Sequence, residues 1–204
     1  MTTLFRLDAS ARLEDSFSRM LADRVEDKWR QDHPDGTIIR RDLGVEHVPP
    51  LDQTAIAGFF SHPDLLSPAM KTATAASDDL VDELQKAETL LFAVPLYNFG
   101  IPGTLKAWFD QVVRINKTFA FDGSSFTGLV RAKTAHVVCA YGASGYLNDG
   151  AFSKADFARP YMEFILKFMG IEEIHHYGVE GTTTDEVSAR AQLAETDFRE
   201  DRAA

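Results

Sequence analysis

Leu90-Leu91-Phe92-Ala93-Val94 runs five residues without a polar side chain and stops at Pro95. A strand with one face in water alternates apolar and polar residues. An unbroken apolar run is buried on both faces, as in the central strand of a parallel sheet. On either side of the run the period changes. Upstream, Met70, Ala73, Leu80, Val81 and Leu84 recur at helical spacing; downstream, Leu105, Trp108, Phe109 and Val112 do the same.

The alternation continues outward in both directions. Leu4 to Leu7 is a short strand ending at Asp8, followed by a helical face of Phe17, Leu21, Val25 and Trp29, with Met20 beside it. Thr37 to Arg40, after the Pro34-Asp35-Gly36 turn, is a second strand. Beyond the centre come a strand from Thr134 to Ala140, a helix carrying Phe157, Tyr161, Phe164, Ile165 and Phe168 and closed by Gly170, and a strand from Ile174 to Val179. Val187, Ala194 and Phe198 stripe a last helix. Five strands interleaved with helices predict an α/β fold: one doubly wound parallel sheet, helices on both faces, in the flavodoxin-like order 2-1-3-4-5. Two segments, Leu43 to Pro63 and Lys117 to Ala132, fit no regular element. Long irregular segments in a compact domain are usually functional or mobile, which makes both candidates for lids or interface arms.

Composition bounds the rest. The 204 residues fit one core, since cores divide only beyond roughly 250–300 residues, so residues 1–204 are read as a single domain. A net charge of −10 argues against nucleic acid, which needs a basic patch. No apolar run approaches the ~18 residues of a membrane span. The start, Met1-Thr2-Thr3, lacks a basic secretory leader, and the expected location is cytoplasmic. The single cysteine, Cys139, lies in an apolar run and reads as a buried strand residue. The six histidines are scattered, and the His175-His176 pair points to opposite faces of a strand, a poor metal site.

In open parallel sheets, ligands sit beyond the carboxyl ends of the strands where strand order reverses, here between strands one and three. The sequence is unusual after both. Asp8 to Ser18 is a long hydroxyl-rich loop, with Ser10, Ser16 and Ser18, that feeds a helix. A helix N-terminus offers unpaired N–H groups to a phosphate, and serine hydroxyls add donors. Capping by Asp15 or Ser16 accounts for one or two of these residues, not for the whole loop. There is no G-x-G-x-x-G and no P-loop pattern. After strand three, Leu96-Tyr97-Asn98-Phe99 sets two aromatics around an amide: a flat wall and a polar edge for an isoalloxazine, or a packing turn. After strand four, Gly142-Ala143-Ser144-Gly145 permits close backbone approach, or a plain turn. Phe119, Phe121 and Phe126 have no element to bury them together, and such a patch marks an interface. Phe121 is accordingly expected in the substrate pocket of an opposite subunit.

Pro95-Leu96-Tyr97-Asn98-Phe99, then Pro102-Gly103-Thr104-Leu105-Lys106 and Phe109-Asp110, resembles the FMN-dependent NADH azoreductases, also called NADH:quinone oxidoreductases. The serine spacing after strand one and the stretch from Thr118-Phe119 through Gly128-Leu129 to Lys133 are similar to theirs. The resemblance implies that Ser10, Ser16, Phe17 and Ser18 hold the FMN phosphate. It implies that Leu96, Tyr97, Asn98 and Phe99 line the ring, and that Gly142, Ala143, Ser144 and Gly145 approach the flavin. It implies a homodimer with the flavin at the subunit boundary. The cofactors are then FMN with NADH or NADPH as donor, and the acceptors quinones or azo compounds, reduced by two-electron, ping-pong hydride transfer. The chemistry belongs to the cofactor, so no side chain is assigned as catalytic. The alternatives are an FMN electron carrier of flavodoxin type, without a dedicated small-molecule substrate, and a reductase using FAD.

Overall fold

A computed structural model of the chain describes residues 2–196 together with Phe198. Five parallel strands form its centre: β1 (Thr3–Asp8), β2 (Thr37–Asp42), β3 (Thr89–Pro95), β6 (Thr134–Ala140) and β7 (Glu173–Val179). Their order is β2-β1-β3-β6-β7, which is the expected 2-1-3-4-5. Leu90 to Val94 of β3 are each 0% exposed, as an apolar run in the middle of the sheet requires.

Two helices cover one face, α1 (Phe17–Asp32) and α6 (Glu186–Glu195). Phe17, Leu21, Val25 and Trp29 of α1 are buried against Leu4, Leu91, Ala93, Val138 and Val179. Each such side chain contributes roughly 1.5–3 kcal/mol on leaving water. The other face carries α3 (Pro68–Gln85), α4 (Gly103–Val112) and α5 (Ala158–Phe168). Trp108 of α4 is its centre, fully buried, stacked on Phe5 and edge-on to Phe92 and Phe109. Cys139 lies in this core, as its apolar surroundings in sequence predict; burial pushes its thiol up to about 12.

Both segments expected to lack regular structure contain some. Within 43–63 lies α2 (Gln53–Phe59), started by Asp52, whose carboxylate accepts from Ala55 N at 2.7 Å. The helix is seven residues long, too short for a periodic stripe to register. Within 117–132 lies a hairpin of β4 (Phe119–Phe121) and β5 (Phe126–Gly128). Its turn is locked by the Asp122 carboxylate, which accepts from Ser124 N and Ser125 N. Gly128 lies directly on Gly170; a Cβ there would come within 2.1 Å of Gly170 N.

Two helical faces also differ from expectation. In α5 the inward residues are Ala158, Met162 and Leu166, while Phe157 and Phe164 are 65% and 67% exposed. In α6 they are Ala189 and Leu193; Val187 and Ala194 are exposed and Phe198 lies beyond the helix, edge-on to Tyr177. Among the described residues no helix is long and apolar enough to cross a membrane, and no cluster of His, Cys, Asp and Glu is arranged to hold a metal.

Candidate functional site

Four loops meet at the carboxyl edge of the sheet. The first leaves β1 at Asp8 and enters α1 at Ser16, the residue before the helix. Ser10, Ser16 and Ser18 are all buried. The Ser16 side chain makes no capping bond; its hydroxyl lies 3.2 Å from that of Ser18 instead. Among the described residues nothing accepts from the N–H groups of Phe17, Ser18 or Arg19. Capping therefore does not explain these serines. Open first-turn donors beside two hydroxyls form a cradle for an anion, favoured further by the helix dipole. Phe17 adds only its backbone N–H there, because its ring is buried against the core.

Charge behind the loop is tightly held. Asp8, at the end of β1, is bound through two hydrogen bonds by the buried Arg6, which also reaches Asp23 and Glu26. Burial pushes the Asp8 carboxyl up, opposed by Arg6 and Arg19. The loop is thus backed by a buried, paired charge network.

The second loop follows β3. Leu96 N donates to Ala140 O at 2.9 Å, tying the loop to β6. Tyr97 and Gly100 then exchange backbone hydrogen bonds of 3.0 and 3.1 Å across Asn98 and Phe99. Both central residues have positive φ, 49° and 71°. A turn of this hand normally has glycine in its second central position; a phenylalanine there costs about 1–2 kcal/mol. Strain of that size persists only where neighbouring contacts enforce it. Phe157 N, donating to Phe99 O at 2.9 Å, is one of them. Tyr97, Asn98 and Phe99 are exposed, with Tyr97 38% and Phe99 51%, so their side chains are not packed into the core of this chain.

The first two loops join directly: Ala11 N donates to the Tyr97 hydroxyl at 3.2 Å. The third loop, Gly142, Ala143, Ser144 and Gly145, lies at the same edge but is bound mainly to a fourth. Gly142 O accepts from Thr183 N, and Tyr141 O from Thr182 N. Tyr141 is anchored from below by its hydroxyl, which donates to Asp156 at 2.8 Å. Phe121 stands apart. Its hairpin packs on the C-terminal end of α5, where Phe126 lies against Phe168, and is held by Val130 N to Met169 O at the amino edge of the sheet. The chain does not bring Phe121 to its own loops.

The sequence reading missed the loop after β7 (Gly181 to Thr184) and the residues at the end of β2, Asp42 and Gly44. The rule that sites gather at carboxyl ends applies to every strand, and it reaches these two positions as well as the three read from sequence.

The sequence pattern of a family described as having the flavodoxin-like fold matches residues 1–200. An FMN-dependent NADH:quinone oxidoreductase of Xanthobacter autotrophicus is 49% identical over 85% of this chain and 84% of its own length. One of the same description from Nostoc punctiforme is 40% identical over 96% and 94%. An azoreductase from Bacillus anthracis superposes with a TM-score of 0.85 at 24% identity, over 95% of this chain and 94% of that one. An FMN-dependent NADH-azoreductase of the same species, solved in complex with FMN, gives 0.83 at 20% identity, over 96% and 95%. These two structural likenesses concern the fold.

Proposed function

Because the chain belongs to the FMN-dependent NADH:quinone oxidoreductases of flavodoxin-like fold, we propose that it binds FMN and passes electrons from NADH to quinones. The observation that carries the cofactor reading is the α1 entrance: buried serine hydroxyls kept from capping, beside first-turn N–H groups that nothing in the described chain fills. These residues fit a phosphate monoester. Ser10, Ser16 and Ser18 with the backbone of Phe17 would hold it. Leu96, Tyr97, Asn98 and Phe99 would line the ring, and Gly142, Ala143, Ser144 and Gly145 would approach it from the third loop. When bound, the flavin supplies two-electron carrier chemistry. The strained Asn98-Phe99 turn fixes the aromatic wall, and the Ala11–Tyr97 bond fixes its distance from the phosphate loop. The relatives of this sequence favour an enzyme over an electron carrier, because they are described as oxidoreductases.

Azo compounds are a second acceptor class that would stack over the flavin. Donor and acceptor sharing one stacking site over the flavin would occupy it in turn. Initial rates at several quinone concentrations against NADH should give parallel double-reciprocal lines, and likewise with an azo dye. Intersecting lines would mean both substrates bind together and would end the shared-site scheme.

We further propose that the active form is a homodimer. Phe119, Phe121, Phe126, Phe164 and Phe168 form a continuous cluster of rings whose outer members, Phe121, Phe126 and Phe164, are 46%, 59% and 67% exposed. A patch of this kind marks an interface. Phe121 is too far round the fold to serve its own loops, so a partner's site is the one it would line. Turnover followed through a dilution series in the ultracentrifuge should fall as dimer dissociates. A monomer with full flavin and full specific activity would overturn this.

A further inference from the structure

The geometry points to Arg19 as the residue that sets the shape of the phosphate loop, acting as a tie between the loop and the end of β2 and not as a ligand of the phosphate. Arg19 follows Ser18 in the first turn of α1, where an arginine invites reading as a direct anion ligand. Its donors are already committed. Nε donates to Arg12 O at 2.9 Å, and Nη2 to Ser10 O at 2.8 Å. Nη1 and Nη2 grip the two oxygens of Asp42 at 2.6 and 2.7 Å. Four of the five guanidinium N–H groups are thus spent on the protein, and the nearest other anion is Asp8, 3.9 Å from Nη1.

The far end of the tie is equally fixed. Asp42 Oδ1 also accepts from Gly44 N at 2.9 Å. A Cβ on Gly44 would stand 2.7 Å from Ser10 O and 3.0 Å from Arg19 Nη2. Arg19, Asp42 and Gly44 therefore buttress the loop from behind, on the carbonyl side. With its carbonyls bound backward, the loop is held with Ser10 beside the α1 entrance. The bidentate fork that makes this possible is particular to arginine.

This inference rests on the reading of the serine loop as the phosphate site, and the test separates the two. Full-length protein is stripped of flavin and titrated with FMN and with riboflavin, which lacks the phosphate. Asp42→Asn removes a negative charge near a dianion, so simple electrostatics would tighten FMN. The tie makes the opposite demand: FMN should weaken about tenfold or more, with riboflavin changed less than twofold. Arg19→Gln should match it, Arg19→Lys should not rescue, and the Arg19→Gln/Asp42→Asn pair should be no worse than either alone. Gly44→Ala, which alters no charge, should weaken FMN in the same selective way and serves if Asp42→Asn fails to fold. Unchanged or tighter FMN binding in Asp42→Asn, wild-type affinity in Arg19→Lys, or equal losses for riboflavin would overturn the tie. If Ser16→Ala/Ser18→Ala leaves FMN affinity intact, the phosphate reading itself fails. If that variant loses FMN while the Arg19 and Asp42 variants do not, the reading stands and the tie falls.

Discussion

Ser16→Ala/Ser18→Ala should bind FMN at least about a hundredfold more weakly than the parent chain, while the flavin-free variant unfolds almost where the parent does. A hydrogen bond to a charged acceptor contributes about 1.5–3 kcal/mol, and two lost hydroxyls bring about 3 kcal/mol at the lower limit. That limit is the appropriate one, because the backbone donors of the α1 entrance and the Ser10 hydroxyl remain. Stability should change little, because the two hydroxyls are paired with one another at 3.2 Å and leave together, so neither is stranded in a buried site. Ser16 also makes no side-chain cap to lose; an ordinary N-cap removed in this way would cost about 1 kcal/mol. Flavin fluorescence titration gives the affinity and thermal unfolding of the flavin-free chain gives the stability. Equal FMN affinity in parent and variant would remove the serines from the site.

The protein should lose on the order of 4 kcal/mol of stability between pH 7.5 and pH 5 through two histidines, the buried His136 and the half-buried His176. His136 lies on β6 beside His175 and Tyr177, and burial followed by the neighbouring His175 lowers it to about 4. His176 lies on the opposite face of β7. Burial followed by Arg159 lowers it to about 4, opposed by Glu163 and Asp156. In the unfolded chain each has its ordinary value near 6.5. Above pH 6.5 both states hold these rings neutral and nothing is lost. As pH falls from 6.5 towards 4 the unfolded chain takes up the protons first, so folding becomes less favourable across that window. At pH 5 each site contributes about 2 kcal/mol of loss, against a total stability of roughly 5–15 kcal/mol for a domain. Urea unfolding of the flavin-free protein at the two pH values measures the sum. In His136→Phe/His176→Gln most of the pH dependence should disappear; an unchanged loss in that variant would clear both histidines of responsibility.

Local pattern was enough for the strand–helix alternation, for the burial of β3 and for the loops that follow β1 and β3. Periodicity and turn chemistry are properties of neighbours in the chain, and an apolar run or a helical stripe states its own burial. Where two stripes competed, pattern was insufficient. In α5 the aromatic set, Phe157, Tyr161, Phe164 and Phe168, and the set Ala158, Met162, Leu166 and Met169 lie on adjacent stripes. The inner stripe went to the second set, whose Ala158, Met162 and Leu166 are essentially unexposed, and the larger rings were left towards the surface. The short helix α2 and the β4–β5 hairpin escaped notice because each is stabilised by contacts made elsewhere, Gly58 against Thr74 and Gly128 against Gly170. The serines announced an anion cradle by type and spacing. That Ser16 withholds its hydroxyl from the helix, that Tyr97 reaches Ala11, and that Arg19 finds Asp42 at a separation of 23 residues are decided only when β1, β2 and β3 lie side by side. Sequence fixes which groups a chain carries along each element; sheet order fixes which of them come within hydrogen-bonding distance, and that distance is what makes a loop into a site.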